Sequence, residues 1–186
     1  MTQARFLTGR LLLAMPGIGD PRFEHAVVAM CAHDDQGALG IGIGHILEGI
    51  GFHQLLGQLG LDIGVAPDVP VHFGGPVEPG RGFVLHSTDW GGEGSLLVAH
   101  RWALTSTQDI LKAIAAGRGP SRWLVALGYA GWGAGQLDDE LHHHGWHVAD
   151  ADDLVVFEAP AQERWTRIFH ASGIDPRLLS NASGTA

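Results

Sequence analysis

Cysteine and lysine are almost missing from this 186-residue chain, which has one of each, Cys31 and Lys112. A single thiol cannot form an intrachain disulfide, which fits a reducing compartment. Long hydrophobic runs are missing too. No apolar stretch approaches the roughly 18 residues of a membrane span, and RLLLAMPG (10–17) lacks the length and the cleavage pattern of a signal peptide. The sequence therefore predicts a soluble cytoplasmic protein with no membrane partner.

Positive charge is scarce. The chain has 20 acidic residues against 11 lysines and arginines, and its formal net charge is −9. A protein that binds duplex DNA needs several basic groups on one face to release phosphate counterions. The composition therefore disfavours nucleic acid as a partner. A transcriptional regulator that contacts DNA stays an alternative if the scattered arginines gather on one face. The arginines in question are Arg101, Arg118, Arg122, Arg164 and Arg167.

Familiar catalytic motifs are absent as well. Ser87, Ser95 and Ser106 lie outside any G-x-S-x-G elbow. The chain has no H-E-x-x-H, no paired C-x-x-C and no phosphate-binding G-x-x-x-x-G-K-[ST]. These absences predict a non-enzymatic protein that uses no cofactor and no metal.

Apolar residues are plentiful, at 45% of the chain against 17% charged residues. That is enough for one compact domain, expected over 1–180, with a frayed tail at 181–186. Strands and helices intermix without a regular βαβ alternation, which favours a mixed α+β fold. The predicted strands lie in 10–15, 26–31, 38–43, 71–87 (two strands around a Gly-Pro turn), 95–100, 122–130 and 152–160. The predicted helices lie in 52–60, 105–117 and 161–173.

Two predicted helices carry further detail. Leu55, Leu56 and Leu59 are expected to share the apolar face of the first helix. Thr105 or Ser106 is expected to cap the second, because a side-chain hydroxyl can accept a hydrogen bond from the first turn.

The stretch GYAGWGAGQLDDELHHHGWH (128–147) concentrates glycines, acids and histidines. Its glycines have the spacing G-x-G-x-G, which is not the dinucleotide fingerprint. The acids at 138–140 suit the first turn of a helix and would repel a phosphate. The histidines at 142–144 suit its last turn, with Gly145 following, and point too far apart to share one metal. The stretch predicts a strand, a turn and a helix, and leaves open a ligand pocket at the glycine turn or a metal site.

Five segments, in this order, carry a recognisable pattern. They read LLLAMPGIGDPRFEHAVVAMCAHDDQGALG, FGGPVEPGRGFVLH, ALTSTQDILKAIAAGRGP, RWLVALGYAGWGAGQLDDEL and GIDPRLLS. Together they resemble the AlgH/YqgE family of bacterial proteins over nearly the whole chain. The resemblance implies a cytoplasmic α+β fold, in which a bifurcated mixed sheet, partly closed into a small barrel, is flanked by helices. It implies no established enzymatic activity, and one member is described as a regulator of exopolysaccharide synthesis.

One corner departs from the family pattern. The family continues after GALG towards an Asn-Arg-Pro-like or Asn-Lys-Pro-like end, whereas this chain has Gly44, His45 and Ile46. If other members have a polar contact site at this corner, its chemistry is altered here.

Cys31 and His33 form one candidate site. Residues i and i+2 of a strand share a face, and a neighbouring imidazolium would favour a reactive thiolate. This spacing supports a thiol-based enzyme or redox sensor as an alternative function. The competing interpretation is a buried, inert cysteine, since Asp34 and Asp35 would raise the pKa of the thiol.

Two glycine-rich turns form the other candidate site. Gly74 and Gly75 allow a backbone or a ligand to approach closely, and Arg81 could hold a carboxylate or phosphate with its planar fork. We expect a protein partner or a small ligand to bind here, in a monomer or homodimer with at most an indirect regulatory role. The competing interpretation is a fold-determining turn with a solvated Glu78–Arg81 pair. The second turn contributes Gly131, Trp132 and Gly133.

Overall fold

The computed structural model describes residues 6–17, 20–92 and 94–183, without the side chains of Arg22 and of 180–183. The strands are β1 Leu11–Ala14, β2 Val27–Asp34, β3 Gly37–Gly42, β4 Ile46–Gly51, β5 Pro70–Phe73, β6 Val77–His86, β7 Leu96–Val98, β8 Trp102–Thr105, β9 Trp123–Gly133 and β10 Trp146–Ala149. The helices are α1 Phe52–Gln58, α2 Gln108–Ala115, α3 Gln136–His142, α4 Asp153–Phe157, α5 Ala161–Ala171 and α6 Pro176–Ser183, with a 3₁₀ turn at Pro21–Phe23. No helix in these ranges is long and apolar enough to cross a membrane.

Strand β9 is the centre of one branched sheet. Its first part pairs with β6 on one edge and, in parallel, with β5 on the other. Its last residues, Ala130 to Gly133, pair with β3. From β3 the sheet continues through β2 and β1 to β10, and from β6 it continues through β8 to β7, while β4 pairs with β5. The sheet therefore divides at β9, where β5 and β3 occupy successive stretches of the strand.

The sheet is not closed into a barrel, so this part of the predicted fold is wrong. A closed barrel requires its end strands to pair with each other. In the described part of the chain, β10 pairs with β1 and β7 pairs with β8, and these short strands lie at opposite ends of the strand order. The single α+β domain agrees with the prediction.

The strands read as continuous apolar runs because both faces of the sheet are covered. Leu11 and Leu13 pack in a cluster with residues of α4 and α5. Leu12 and Met30 pack in a second cluster that includes Leu137 of α3. A third cluster joins α1 and α2 to β5, β6 and β9. Helix α5 thus packs beside the ends of β1 and β2, which places the cavity described below.

Residues 152–160 form no strand, contrary to the prediction. The Asp152 carboxylate accepts a hydrogen bond from the Leu154 N–H at 3.0 Å, and this cap starts α4. Val156 is fully buried, whereas Leu154 is 56% exposed. A short apolar run fits a strand or a helix by periodicity alone, and here the cap and the packing of Val156 select the helix.

Two details of the other helices also differ from the prediction. Leu59 is 41% exposed and lies outside the apolar face of α1. Helix α2 begins after Thr107, because Thr105 belongs to β8, a strand that the sequence analysis missed. The pairing of Thr105 with Val84 of β6 prevents its use as a helix cap, so the helix begins later than was predicted.

The stretch 128–147 forms the predicted strand, turn and helix, as β9 and α3. His144, with φ of 57°, takes the left-handed position after the helix that was predicted for Gly145. The frayed tail stays a prediction. The backbone of 181–183 continues α6, and 184–186 lie outside the described residues.

Candidate functional site

A cavity of about 900 Å³ lies between the β1–β2 segment (residues 15–26) and helices α5 and α6. This volume is within the range of small-molecule pockets, roughly 300–1,000 Å³. From the β1–β2 segment it is lined by Met15, Pro16, Gly17, Asp20, Pro21, Glu24 and His25. From the helical side it is lined by Trp165, Thr166, His170, Asp175, Pro176 and Arg177. We refer to it as the α5 cavity.

Trp165 forms the aromatic wall of the α5 cavity. Its ring packs edge-on against Phe169, one helical turn later, with centroids 4.8 Å apart. The indole Nε1–H donates a hydrogen bond to the Ala14 carbonyl oxygen at 2.9 Å, which ties α5 to the end of β1. Packing and this hydrogen bond together hold the indole in one orientation.

His25 covers the face of Trp165 from the β1–β2 segment. The two rings are stacked, with centroids 4.3 Å apart and an interplanar angle of 23°. The backbone of His25 has φ of 55°, in the left-handed region that few residues other than glycine adopt. The turn is closed by a 3.0 Å hydrogen bond from the Ala26 N–H to the Phe23 carbonyl. His25 therefore occupies a tight turn just before the start of β2, and its exposed ring covers the buried indole of Trp165.

The corner formed by Gly44, His45 and Ile46 packs against this turn. His45 Nε2 donates a 2.7 Å hydrogen bond to the Glu24 carbonyl oxygen. A Cβ on Gly44 would lie 2.8 Å from the Val27 nitrogen, so the corner backbone packs directly on the start of β2. Ile46 is 42% exposed. Gly44 and His45 thus position the segment that lines the α5 cavity.

The rim of the α5 cavity is charged. Arg177 donates to the Asp175 carboxylate from Nη2 at 2.8 Å, and its backbone N–H donates to Asp175 Oδ1 at 3.0 Å. These hydrogen bonds from Arg177 lower the pKa of Asp175 to about 2. Asp20 and Glu24 add two carboxylates. The described lining side chains therefore carry three carboxylates and one guanidinium, so acidic groups outnumber basic ones among them.

Metal-binding residues do not converge in the described ranges. Among those residues there is no group of three or more His, Cys, Asp and Glu side chains that could hold an ion. In the histidine run, His143 Nδ1 donates a 2.7 Å hydrogen bond to the Asp139 carbonyl, one turn earlier in α3. This contact lies at the C-terminal end of α3, where the histidines were predicted to lie.

Gly74 and Gly75 pack against β9. A Cβ on Gly74 would lie 2.1 Å from the Gly128 carbonyl oxygen, and a Cβ on Gly75 would lie 2.1 Å from the Tyr129 carbonyl carbon. The Gly74 N–H donates to the Leu127 carbonyl at 2.8 Å. The glycine pair therefore lets two backbones meet, and the fold itself explains why glycine is needed here.

Arg81 lies on the surface with partners of its own. Its guanidinium is 3.5 Å from the Glu78 carboxylate and donates to Ser106 Oγ at 3.4 Å. It also lies 5.1 Å from the centroid of the Phe83 ring, within cation–π range. The solvated Glu78–Arg81 pair of the competing interpretation is therefore present.

The second glycine turn borders an open groove of about 500 Å³, between the β2–β3 hairpin and β9. Gly131 and Trp132 line this groove together with Val77 and Tyr129. The other four residues of the predicted binding site are not among the residues that line the groove. They are Gly74, Gly75, Arg81 and Gly133. The structure thus brings two of the six predicted residues to one concave surface.

Hydrogen bonds within the protein account for the rest of this turn. The Trp132 indole N–H donates to Glu140 Oε1 at 3.0 Å, and the Trp146 indole donates to the same oxygen at 2.9 Å. The Gly133 N–H donates to Gln136 Oε1 at 3.0 Å. These contacts anchor α3 to β9, so the indole of Trp132 is a packing element.

Cys31 and His33 do not lie side by side. A β-bulge between Met30 and Ala32 inserts Cys31 as an extra residue, which reverses the alternation of faces that follows. Cys31 packs in the cluster with α5, whereas His33 Nδ1 accepts a 3.1 Å hydrogen bond from Leu7 N–H, in the cluster on the other face. No thiol–imidazole pair is formed.

We expect the native Cys31 thiol to be inert to alkylation. The residue is 1% exposed, and burial raises the pKa of the thiol to about 12. Because the thiolate is the reactive form, iodoacetamide at pH 8 should leave the folded protein unmodified and modify the urea-unfolded chain. Mass spectrometry of both samples checks this. Rapid modification of the native protein would revive the redox-sensor hypothesis.

The arginines that DNA binding would need do not form one free basic face. Arg164 is 3% exposed. Arg101 pairs with Asp153 at 3.4 Å, and Arg167 pairs with Glu163 at 2.6 Å. One of the five is thus removed from the surface, and two are neutralised by local carboxylates.

The fold and the α5 cavity define a single-domain α+β protein with a branched sheet and a side pocket. Residues 11–177 match the family described as DUF179, AlgH-like. The chain belongs to this family, which confirms the resemblance seen in the sequence. The family has no established function.

Relatives and solved structures agree with this assignment. The chain is 59% identical to a UPF0301 protein of Novosphingobium aromaticivorans, over all of both chains, and 62% identical to one of Rhizorhabdus wittichii, over 97% of both. It resembles the solution structure of the AlgH protein from Pseudomonas aeruginosa with a TM-score of 0.79 and 36% identity, over 97% of this chain and 96% of that one. A Corynebacterium diphtheriae protein shares the fold, with a TM-score of 0.77 at 19% identity, over 97% of this chain and 94% of that one.

The α5 cavity was not predicted from the sequence. PGIGDPRFEH (16–25) lies between two predicted strands, and Trp165 lies in the predicted helix 161–173. Two signals were present: the density of Pro, Gly and acid residues in that loop, and the departure at Gly44 and His45. Neither links the loop to α5, because the residues in contact, His25 and Trp165, lie far apart in the chain.

Proposed function

We propose that this protein binds a small molecule in the α5 cavity and acts through that ligand without catalysing a reaction on it. The observation that carries the proposal is the cavity itself, about 900 Å³ with an aromatic wall at Trp165 and a polar rim. Small-molecule sites have this combination of a concave apolar surface and a few polar groups that set orientation.

The groups in the cavity favour binding over catalysis. Its candidate reactive groups are the Thr166 hydroxyl and the imidazoles of His25 and His170. A nucleophile of this kind needs a base within hydrogen-bonding distance, and no hydrogen bond joins any two of these side chains in the described part of the chain. Recognition of a ligand needs only the shape and the charges that are present.

A fragment screen followed by ¹H–¹⁵N NMR spectra tests the proposal. We expect fragments that bind to shift amide signals of the β1–β2 segment and of α5. Thr166 is exposed and lines the cavity, so Thr166→Trp should fill the space and abolish these shifts without a cost to the core. Arg167 is the next residue, is also exposed and is not among the lining residues, so Arg167→Trp is the matched control and should leave the shifts unchanged.

Two results would contradict the proposal. One is the absence of any fragment that shifts these amides. The other is binding that survives Thr166→Trp to the same extent as Arg167→Trp, since the ligand would then lie elsewhere.

A protein partner at the groove beside β9 is the second candidate. The groove of about 500 Å³, with Gly131 and Trp132 on one wall, favours it. It is more open than the α5 cavity and suits a surface contact rather than an enclosed ligand. Amide shifts confined to the β2–β3 hairpin and the end of β9 in the same screen would favour this candidate.

We further propose that the protein works in the cytoplasm and that any effect on gene expression is indirect. The lone cysteine fits a reducing compartment. The net charge of −9 and the burial of Arg164 argue against direct contact with DNA.

A further inference from the structure

We infer that the ligand of the α5 cavity is a small organic cation whose alkylated ammonium head lies on the indole face of Trp165, in the place that His25 covers. This inference rests on the proposed function, because it names the class of molecule that the same cavity takes.

The indole face of Trp165 supplies the attraction. A cation over the face of an aromatic ring is attracted by its quadrupole, and tryptophan is the strongest of the aromatic residues in this respect. The hydrogen bond to the Ala14 carbonyl and the contact with Phe169 already hold the indole in place. Once His25 has moved aside, a ligand therefore meets an indole whose orientation is already fixed, which lowers the cost of ordering the site.

The charges around the cavity select the sign of the ligand. Among the described side chains that line it, three carry carboxylates, Asp20, Glu24 and Asp175, and one, Arg177, carries a guanidinium. Asp175 is ionised at neutral pH, as an ordinary carboxyl would be, and the hydrogen bonds from Arg177 lower its pKa further, to about 2. An anionic ligand would be repelled by this rim, whereas a cation is attracted to it.

His25 can give up its place on Trp165 at small cost. The ring is exposed and stacks on the indole, and no hydrogen bond to the imidazole occurs among the described residues. Its backbone is in the left-handed region, where residues under strain often accompany functional sites. An incoming cation replaces the His25 ring on the indole face of Trp165 and is in addition attracted by the carboxylates.

Three probes of matched shape test the inference: choline, 3,3-dimethylbutan-1-ol and 3,3-dimethylbutanoate. All have a head of the same branched shape, which is trimethylammonium in choline and tert-butyl in the other two. Choline is positively charged, the alcohol is neutral and the carboxylate is negatively charged. We measure their dissociation constants by NMR titration at low salt, following the Trp165 indole N–H, which is assigned with Trp165→Phe. Choline is expected to bind about tenfold more tightly than the alcohol, and the carboxylate is expected not to bind.

Two variants, Glu24→Gln and His25→Gly, separate the effect of the rim charge from that of the His25 ring, and Glu48→Gln is the control for the first. Glu24→Gln removes one exposed carboxylate from the rim and should weaken choline binding about threefold, whereas Glu48→Gln on β4, also exposed but remote from the lining residues, should change nothing. His25→Gly frees the indole face and suits the left-handed backbone. It should tighten choline binding, whereas a His25 ring that only supports the fold would give no gain.

The outcomes distinguish this inference from the proposed function. If the alcohol or the carboxylate binds at the cavity as well as choline does, the cation inference fails and the binding function stands. If none of the three probes binds while fragments do, the cation inference again fails alone. If no fragment of any charge shifts the cavity amides, both fail.

Discussion

Replacing Arg164 by alanine is expected to lower the free energy of unfolding by about 3 kcal/mol or more. The guanidinium is buried and joins three elements to α5. Nη1 donates to the Ile43 carbonyl at the end of β3 and to His72 Nε2 on β5, both at 2.7 Å, and Nε donates to the Val155 carbonyl of α4 at 2.9 Å. Removing the side chain leaves three buried acceptors without donors and opens a cavity. Urea denaturation of both proteins measures the difference.

The same helix offers a control. Arg167 is half exposed and pairs with Glu163 in the i, i+4 arrangement, so Arg167→Ala should change stability by no more than about 0.5 kcal/mol. Burial lowers the pKa of Arg164 to about 10, so the residue stays charged at neutral pH. Arg164→Lys retains the charge without the planar fork and should fall between wild type and alanine. Equal losses for Arg164→Ala and Arg167→Ala would show that the buried hydrogen bonds contribute little.

Acidification from pH 6.5 to pH 4 is expected to destabilise the protein through His72, by up to roughly 3 kcal/mol. Burial, and after it the charge of Arg164, lowers the pKa of His72 to about 4. In this pH window the unfolded chain takes up a proton and the folded protein does not, so falling pH favours unfolding. The contribution is complete above pH 6.5 and is lost as the pH falls through about 4.

His72→Gln isolates this contribution, because glutamine can accept the hydrogen bond from Arg164 and does not titrate. The stability of the variant, measured by urea denaturation across the window, should depend less on pH than that of wild type. His86 and His147 also have pKa values lowered by burial and act in the same direction, so a residual slope is expected. Asp89 and Asp175, whose pKa values are lowered to about 2 by hydrogen bonds, act mainly below pH 4. Identical slopes in the two proteins would contradict the assignment to His72.

Local sequence signals predicted much of the architecture. The apolar runs became β1, β2 and β3, and Gly117, with φ of 77°, follows α2 where it was expected to end the helix. The segment at 152–160 was misassigned because a run of four apolar residues fits either element, and the cap at Asp152 acts through one hydrogen bond that composition does not reveal. The expected barrel was a feature of the resemblance, and the separated end strands β7 and β10 contradict it.

The predicted sites show where a local rule fails. The i, i+2 rule placed Cys31 beside His33, and a single bulged residue put them on opposite faces. Gly74 and Gly75 were identified as sites of close approach, and they are, but the approaching group is the backbone of β9. A pair of glycines in the sequence indicates that another group approaches the backbone closely, but it does not identify that group.

By itself, the sequence determined the class of fold, the family, the acidic surface charge and the order of most elements, because each depends on neighbours in the chain or on composition. The tertiary structure alone decided which distant side chains meet. Trp165 and Ala14 lie 151 positions apart, and Arg164 and His72 lie 92 apart. Such contacts depend on how α5 packs on the branched sheet, and no periodicity within either segment encodes the other. The α5 cavity, the stacking of His25 on Trp165 and the buried Arg164 therefore emerge only from the folded chain.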